Sequence, residues 1–354
     1  MAKKKSATKG NPWKKFLIIA LITIGSTGAF SAWMFYMVVV APNVKLEKRE
    51  KYFTISTGSD FADVKETLIE LNVLRNVRSF DWVAEQKEYK GQVKPGRYLL
   101  INGMSNNRLV NLLRSGKQEP VKVTFNNVRF KEDLASKVGR IIEADSAQII
   151  SLLNSSEFVS TYGFNTSTIL TLFLPNTYEF WWNTSAEEFV ERMAKEYRTF
   201  WTEERTEKAR KLGLTQSEVS ILASIVQKET NQSDEKPTIA GVYYNRLKKG
   251  MPLQADPTLV YANRDFEARR ILHKHKVIDS PYNTYKYRGL PPGPICLPNI
   301  SSIDAVLNIK PHNYLYFCAK ADGSGYHSFA SNYAEHLKNA REFQRELNRR
   351  EVFK

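Results

Sequence analysis

Ile221-Leu-Ala-Ser-Ile-Val-Gln-Lys-Glu229-Thr230 is an apolar stretch that closes on one carboxylate, Glu229. Upstream, Thr215 and Glu218 form the Thr-x-x-Glu pattern of a capping box, in which each residue's side chain accepts from the other's free backbone N–H. Val219, Leu222, Ala223, Val226 and Glu229 then recur at spacings of three and four, the period of one helix face. On these residues alone two readings stand. A carboxylate against an apolar face resists ionising, because desolvation penalises the charged form. Still protonated near neutral pH, it is a candidate general acid. Alternatively, Glu229 is a helix-end side chain turned into water.

The residues that follow offer a setting for that carboxyl. A polar loop, Asn231-Gln-Ser-Asp-Glu235, leads into a second helix with Pro237 in its first turn. Ile239, Val242, Tyr243 and Leu247 supply its apolar positions, Asn245 is a polar residue among them, and Lys248-Lys249-Gly250 ends it. In Met251-Pro-Leu-Gln-Ala-Asp-Pro-Thr258, Asp256-Pro-Thr signals a turn, and Gln254 and Asp256 are expected on one side of an extended segment. Ser280-Pro-Tyr-Asn-Thr-Tyr285 and Gly289-Leu-Pro-Pro-Gly-Pro294 combine aromatic faces with amides and hydroxyls. That mixture suits a sugar and suits ordinary loop packing equally.

Outward from this region the pattern changes twice. Residues 52–120 read as a small α/β unit: a strand at Tyr52–Ser56, a helix capped by Ser59 or Asp60, and a second helix over Val77–Glu88. A strand ending at Ile101 and a helix capped by Ser105 and stopped by Gly116 complete it. Residues 121–354 read as a larger helix-rich region with turn-dense stretches at 174–185 and 279–300. In its last helix Tyr333, Leu337, Ala340, Phe343 and Leu347 form a stripe expected to be ordinary core.

The start of the chain explains much of the charge. Of a formal +15, six lysines lie in the first fifteen residues with no acid among them, which leaves +9 for the rest. Phe16–Val40 is 25 residues without a charge, long enough to span a bilayer with tilt. The lysines before it fit the positive-inside rule: residues 1–15 stay cytoplasmic, 16–40 cross, and the remainder lies outside the cell membrane. A cleaved signal peptide is the rival reading, but its apolar core usually runs to about 7–15 residues with a small-residue cleavage site. Residues 41–51 are expected to be a charged linker. No nucleic-acid signature accompanies the basic balance. Cys296 and Cys318 are too few for a disulfide scaffold, and His273-x-His275 in its basic stretch (Arg269, Arg270, Lys274, Lys276) is a weak metal pattern.

Several ordered motifs make the reading specific. Ala223-Ser-Ile-Val-Gln-Lys-Glu-Thr230, Tyr244-Asn-Arg-Leu247, Leu253-Gln-Ala-Asp-Pro-Thr258, Tyr282-Asn-Thr-Tyr285, Gly289-Leu-Pro-Pro292 and Leu174-Pro-Asn-Thr-Tyr178 together resemble the MltG (YceG-like) family of endolytic murein transglycosylases. Two positions depart from the family pattern: Leu170-Thr171 replaces a Glu-Gly pair, and Cys296-Leu-Pro-Asn299 replaces an Asn-Pro-Gly turn. The resemblance implies an α+β fold with an N-terminal transmembrane helix, a small LysM-like α/β subdomain and a larger helix-rich α+β catalytic domain. It implies cleavage of the bond between N-acetylmuramic acid and N-acetylglucosamine within glycan strands, giving 1,6-anhydro ends and terminating strand growth, in collaboration with peptidoglycan synthases. The catalytic residue implied is Glu229, acting first as acid and then as base. Asn245, Gln254, Asp256, Tyr282, Asn283, Thr284 and Tyr285 are the candidate substrate-binding residues, and no metal or organic cofactor is required. A two-carboxylate hydrolase using Glu229 with Asp256 is the nearest rival, and a non-catalytic, membrane-tethered wall-binding protein is the other.

Overall fold

The computed structural model describes residues 12–126, 128–267 and 271–349. The lysines up to Lys9 and Arg269–Arg270 of the basic stretch lie outside the described residues. The chain divides into two compact units, Met1–Pro120 with Trp181–Asn183, and Val121–Phe180 with Thr184–Lys354.

The first unit begins with helix α1 (Pro12–Phe35), which continues through a wider π-helical turn, Tyr36–Val40. This run's length and composition fit a single-pass membrane anchor, and a signal sequence passes the same test. Its far end belongs to the folded unit: Val38 and Val39 pack on the unit's core, and the Val38 carbonyl accepts from Asn106 Nδ2 at 2.8 Å. The segment expected as a linker is likewise part of the fold. Asn43 and Val44 are buried, and Asn43 bonds Asn106 (2.6 Å) and the backbone of Asn76 (2.8 Å). Buried amides must find partners, so this network ties the base of the helix to the folded unit.

Strand β1 (Glu50–Ile55) then pairs antiparallel with β2 (Gly96–Ile101). Helices α2 (Phe61–Glu70) and α3 (Val77–Gln86) lie between them in sequence, and α4 (Asn106–Ser115) follows. The caps account for the boundaries: Asp60 exchanges bonds with Asp63, Ser105 accepts from Arg108 N, and Gly116 ends α4 at φ +72°, where a side chain would be strained. Phe53, Leu68, Phe80, Tyr98, Leu100 and Leu109 fill the core between sheet and helices.

The second unit opens with β3 (Val121–Phe125), which pairs antiparallel with β4 (Asn176–Phe180). Leu174-Pro-Asn-Thr-Tyr178 therefore lies largely in a strand rather than a turn, and Tyr178 anchors it by donating to the Leu174 carbonyl at 2.8 Å. Helices α5 (Lys131–Gly139), α6 (Ser146–Asn154) and α7 (Ser156–Ser160) fall between those strands. After them come α8 (Ala186–Phe200), α9 (Glu203–Leu212), α10 (Gln216–Glu229), α11 (Lys236–Lys248), α12 (Asp256–Asn263), α13 (His273–Lys276) and α14 (Ile300–Leu307). A hairpin of β5 (Tyr316–Ala319) and β6 (His327–Ala330) precedes the last helix, α15 (Tyr333–Arg349).

Helix α10 is the centre of this unit, packed by α9, α11, α12 and α14. Every residue from Val219 to Val226 is buried, so the apolar stripe seen in sequence is one line on a helix enclosed on all sides. Helix α15 departs from expectation: none of its residues is fully buried, because its stripe only half-covers the β5–β6 hairpin.

Candidate active site

Helix α10 aims Glu229. Its N-terminus is fixed by the expected capping box: Thr215 Oγ1 accepts from Glu218 N at 3.2 Å, and Glu218 Oε2 accepts from Thr215 N at 2.8 Å. Its other end is pinned from the 279–300 loop. Ile295 N donates to Ser224 Oγ (3.1 Å), and Gln227 Nε2 donates to the Leu297 carbonyl (3.4 Å). Glu229 is the last helical residue, half-buried, with Thr230 already extended. Beyond it opens a cleft of about 570 Å³, lined by Glu229 and Asp256 with Arg129, Lys228, Val260, Tyr261, Phe266 and Ile295.

The carboxyl of Glu229 is pushed up to about 7 from an ordinary 4.5. Burial is the largest cause, opposed by the hydrogen bond from the Tyr243 hydroxyl and reinforced by the negative charge of Asp256. The negative end of the α10 dipole acts in the same direction, because an anion at a helix C-terminus is disfavoured. Near neutral pH the group is thus divided between acid and base forms, which suits a residue that must donate a proton and then take one back.

Tyr243 and Arg246 are site residues that sequence reasoning passed over. Tyr243 appeared only as an apolar position of α11. It is 2 % exposed, packs edge-on to Phe317 at 5.8 Å, and donates its hydroxyl to Glu229 Oε1. Arg246 is buried and gives its guanidinium to three backbone carbonyls: Leu315 (2.6 Å), Leu253 (2.8 Å) and Pro252 (3.3 Å). Their signal was positional. Tyr243 and Arg246 are three residues apart and so share one face of α11, the face toward Glu229.

The candidate substrate residues separate into two groups. Asp256 is exposed in the cleft as the first residue of α12, and its carboxylate accepts from the Tyr285 hydroxyl at 2.5 Å. The Asp256-Pro-Thr segment expected as a turn opens this helix, and Ala255 holds the cap position without a side-chain bond. Tyr282 packs, tilted by 46°, against Tyr261, a wall of the cleft, with ring centroids 4.7 Å apart. The close turn beneath it requires Gly293, where an added Cβ would sit 2.2 Å from the Ser167 carbonyl.

The remaining residues hold the scaffold. Buried Asn283 donates to Lys276 O (2.9 Å) and Ile278 O (2.8 Å) and accepts from Tyr285 N (3.0 Å). Buried Thr284 bonds Ala255 N and the Thr258 hydroxyl. Asn245 donates to the His312 carbonyl (2.8 Å) and the Tyr314 carbonyl (3.1 Å) and lines a separate cleft. Gln254 is not extended: it takes φ +53°, in the left-handed region, with Oε1 accepting from Arg246 at 3.3 Å. Such strain persists only where surrounding bonds over-determine it, as those of Arg246 and the Gln254 N–H to Thr284 O bond (3.0 Å) do here. The two cysteines are free, and burial pushes the Cys296 thiol up to about 11, so it is inert as a nucleophile.

The sequence profile of the YceG-like family matches residues 53–342. The chain belongs to the YceG-like family. One relative, an endolytic murein transglycosylase of Bacillus subtilis, is 29% identical over 82% of this chain and 85% of its own length. Another, of the same name from Streptococcus pneumoniae, is 28% identical over 93% of this chain, which spans 65% of that relative's length. Among solved structures, a YceG-like protein from Listeria monocytogenes superposes with a TM-score of 0.55 at 28% identity, over 82% of this chain and 99% of that one.

Proposed function

We propose that this chain is a membrane-anchored peptidoglycan lytic transglycosylase that cuts glycan strands internally, with Glu229 as its catalytic acid and base. The observation that carries the reading is a single carboxyl held near neutrality over an open cleft, and relatives named for this activity support it. Protonated Glu229 gives its proton to the glycosidic oxygen as the bond from C1 of the muramyl sugar breaks. The leaving glucosamine unit departs with a hydroxyl at C4. The muramyl C6 hydroxyl oxygen then bonds to C1, and its proton passes to the Glu229 carboxylate. The enzyme is restored, no water is consumed, and a 1,6-anhydro end results. Tyr243 orients the carboxyl and steadies its ionised form between the two steps. Asp256 stabilises positive charge at C1, and its hydrogen bond from Tyr285 keeps it in place.

The same reading takes α1 as an uncleaved anchor with its N-terminus in the cytoplasm, which puts the cleft where new strands emerge and lets cleavage terminate their growth alongside peptidoglycan synthases. The β1–α2–α3–β2 order of the first unit supports a LysM-like module that holds glycan. A second reading has one specific observation behind it: Asp256 shares the cleft with Glu229 and would serve a two-carboxylate hydrolase. Digestion of purified sacculi by the detergent-solubilised full chain, with mass spectrometry of the new ends, separates the two. Anhydro ends uphold the proposal, and reducing ends replace it with hydrolysis.

A further inference from the structure

Two cations stand in the cleft beside Glu229 and take no part in the chemistry proposed above. Arg129 sits over the Phe266 ring, with its guanidinium carbon 4.2 Å from the centroid. Lys228 is exposed at the last turn of α10. Among the described residues neither side chain forms an ion pair with a carboxylate, although Asp256 and Glu229 line the same cleft. Nor does either one set the protonation of Glu229, whose shift comes from burial, Tyr243, Asp256 and Arg246.

Their placement is built in. Leu297 N donates to the Val128 carbonyl at 2.8 Å, and the Leu297 carbonyl accepts from Gln227 Nε2 at 3.4 Å. One residue of the 295–297 segment therefore positions both Val128 and Gln227, and the next residue along each chain is a cation. Both cations therefore flank the 295–297 segment, and both line the cleft together with Ile295. An aromatic plate under a guanidinium fixes its plane and leaves its N–H edge for an acceptor.

We propose that Arg129 and Lys228 form a carboxylate-binding pole that recognises the acidic appendage on O3 of muramyl sugars and selects muramyl-containing strands over neutral glycans. The inference rests on the proposed peptidoglycan-cleaving function. In such strands every second sugar carries a lactyl ether whose carboxyl is either free or extended by an acidic peptide. The neighbouring glucosamine units carry no charge. A cleft with two uncompensated cations at one end thus sets register as well as affinity, because it accepts the repeat only with a muramyl unit at that end.

The test compares full-chain wild type with the Arg129→Gln/Lys228→Gln double variant on four substrates: peptide-bearing strands, strands trimmed of peptide by an amidase, and each of these with its carboxyls capped as methylamides. For wild type, capping is expected to raise KM about tenfold, the effect of one charge-assisted contact. The double variant should show that rise on uncapped strands and little change on capped ones. Lys228→Arg should retain the preference for uncapped strands. A larger capping effect on trimmed strands identifies the lactyl carboxylate, and a larger one on peptide-bearing strands a peptide carboxylate. Added salt should weaken wild-type binding to uncapped strands alone. The inference is overturned if wild type does not distinguish capped from uncapped strands, or if the double variant loses the same factor on both. Should wild type release no ends from any strand, the catalytic reading fails by itself. The same comparison is then made by equilibrium binding, where a preference for uncapped strands upholds the carboxylate pole and equal binding ends it.

Discussion

Replacing Glu229 by glutamine should make the protein more stable in alkali while removing its activity. Moving a carboxyl from an ordinary 4.5 to about 7 means that ionising it in the folded state costs roughly 3 kcal/mol more than in the unfolded chain. Because the folded-state value is raised, the neutral carboxyl contributes its full stability below the unfolded value. That contribution is lost progressively as pH rises through about 7. The amide of the Glu229→Gln variant does not titrate, yet its carbonyl can still accept from Tyr243. The two proteins should therefore unfold with parallel free energies near about pH 4 and diverge above it. By about pH 8 the variant should lead by up to roughly 3 kcal/mol, an upper figure because Glu229 retains contact with the cleft's water. For a domain of this size that corresponds to a melting point higher by about 6–12 °C. Thermal denaturation of both proteins from about pH 4 to about pH 9 reads the difference directly, since all other titrations are common to both. A difference that stays flat across that range would refute the claim that α10 holds Glu229 protonated. Cleavage of sacculi by the variant should fall by at least about a hundredfold, the usual share of a general acid–base group.

Three further substitutions test the surroundings. Tyr243→Phe removes the bond that lowers the Glu229 pKa, so the alkaline limb of the pH–rate profile should move to higher pH while kcat falls about tenfold. An unchanged profile would make Tyr243 a packing residue only. Asp256→Asn removes the charge that raises it, so the same limb should move to lower pH; in wild type the product ends show whether Asp256 also activates water. Asn283→Ala leaves two carbonyls and the Tyr285 N–H without their partner, and should cost about 1–3 kcal/mol in denaturant unfolding while KM per folded molecule stays within about twofold. A KM effect without loss of stability would return Asn283 to the sugar-binding surface.

Helix boundaries were legible wherever a local bond makes them. The Thr215–Glu218 box and the Asp60 and Ser105 caps each join residues within three positions, and the Gly116 stop lies in one residue's φ, so the pattern and its physical cause lie in one window of sequence. The misreadings share the opposite property. Residues 41–51 read as a charged linker, yet Asn43 is buried by partners 33 and 63 positions away. Gln254 looks extended beside Asp256, yet its conformation is imposed by Thr284 and by Arg246.

The candidate site shows the same division, and with it a reason why amide-rich motifs mislead. Glu229 stood out because a charge on an apolar stripe is a local anomaly. Asn245, Asn283 and Thr284 stood out because polar residues in a packed motif suggest a ligand. A buried amide, however, satisfies backbone groups at least as readily as it binds sugar, and here both asparagines bond main-chain atoms. The reverse error hid Tyr243, whose ring reads as an apolar position of α11, while Arg246 stood only within the Tyr244-Asn-Arg-Leu247 motif. Each has a long side chain with its polar end at the tip, so it packs beside α11 and still brings a hydroxyl to Glu229 or a guanidinium to the Leu253 carbonyl. Residues that are apolar along the stem and polar at the tip, placed one helical turn apart on the helix facing an anomalous acid, are therefore where the orienting partners of such an acid should be sought before the more conspicuous amides.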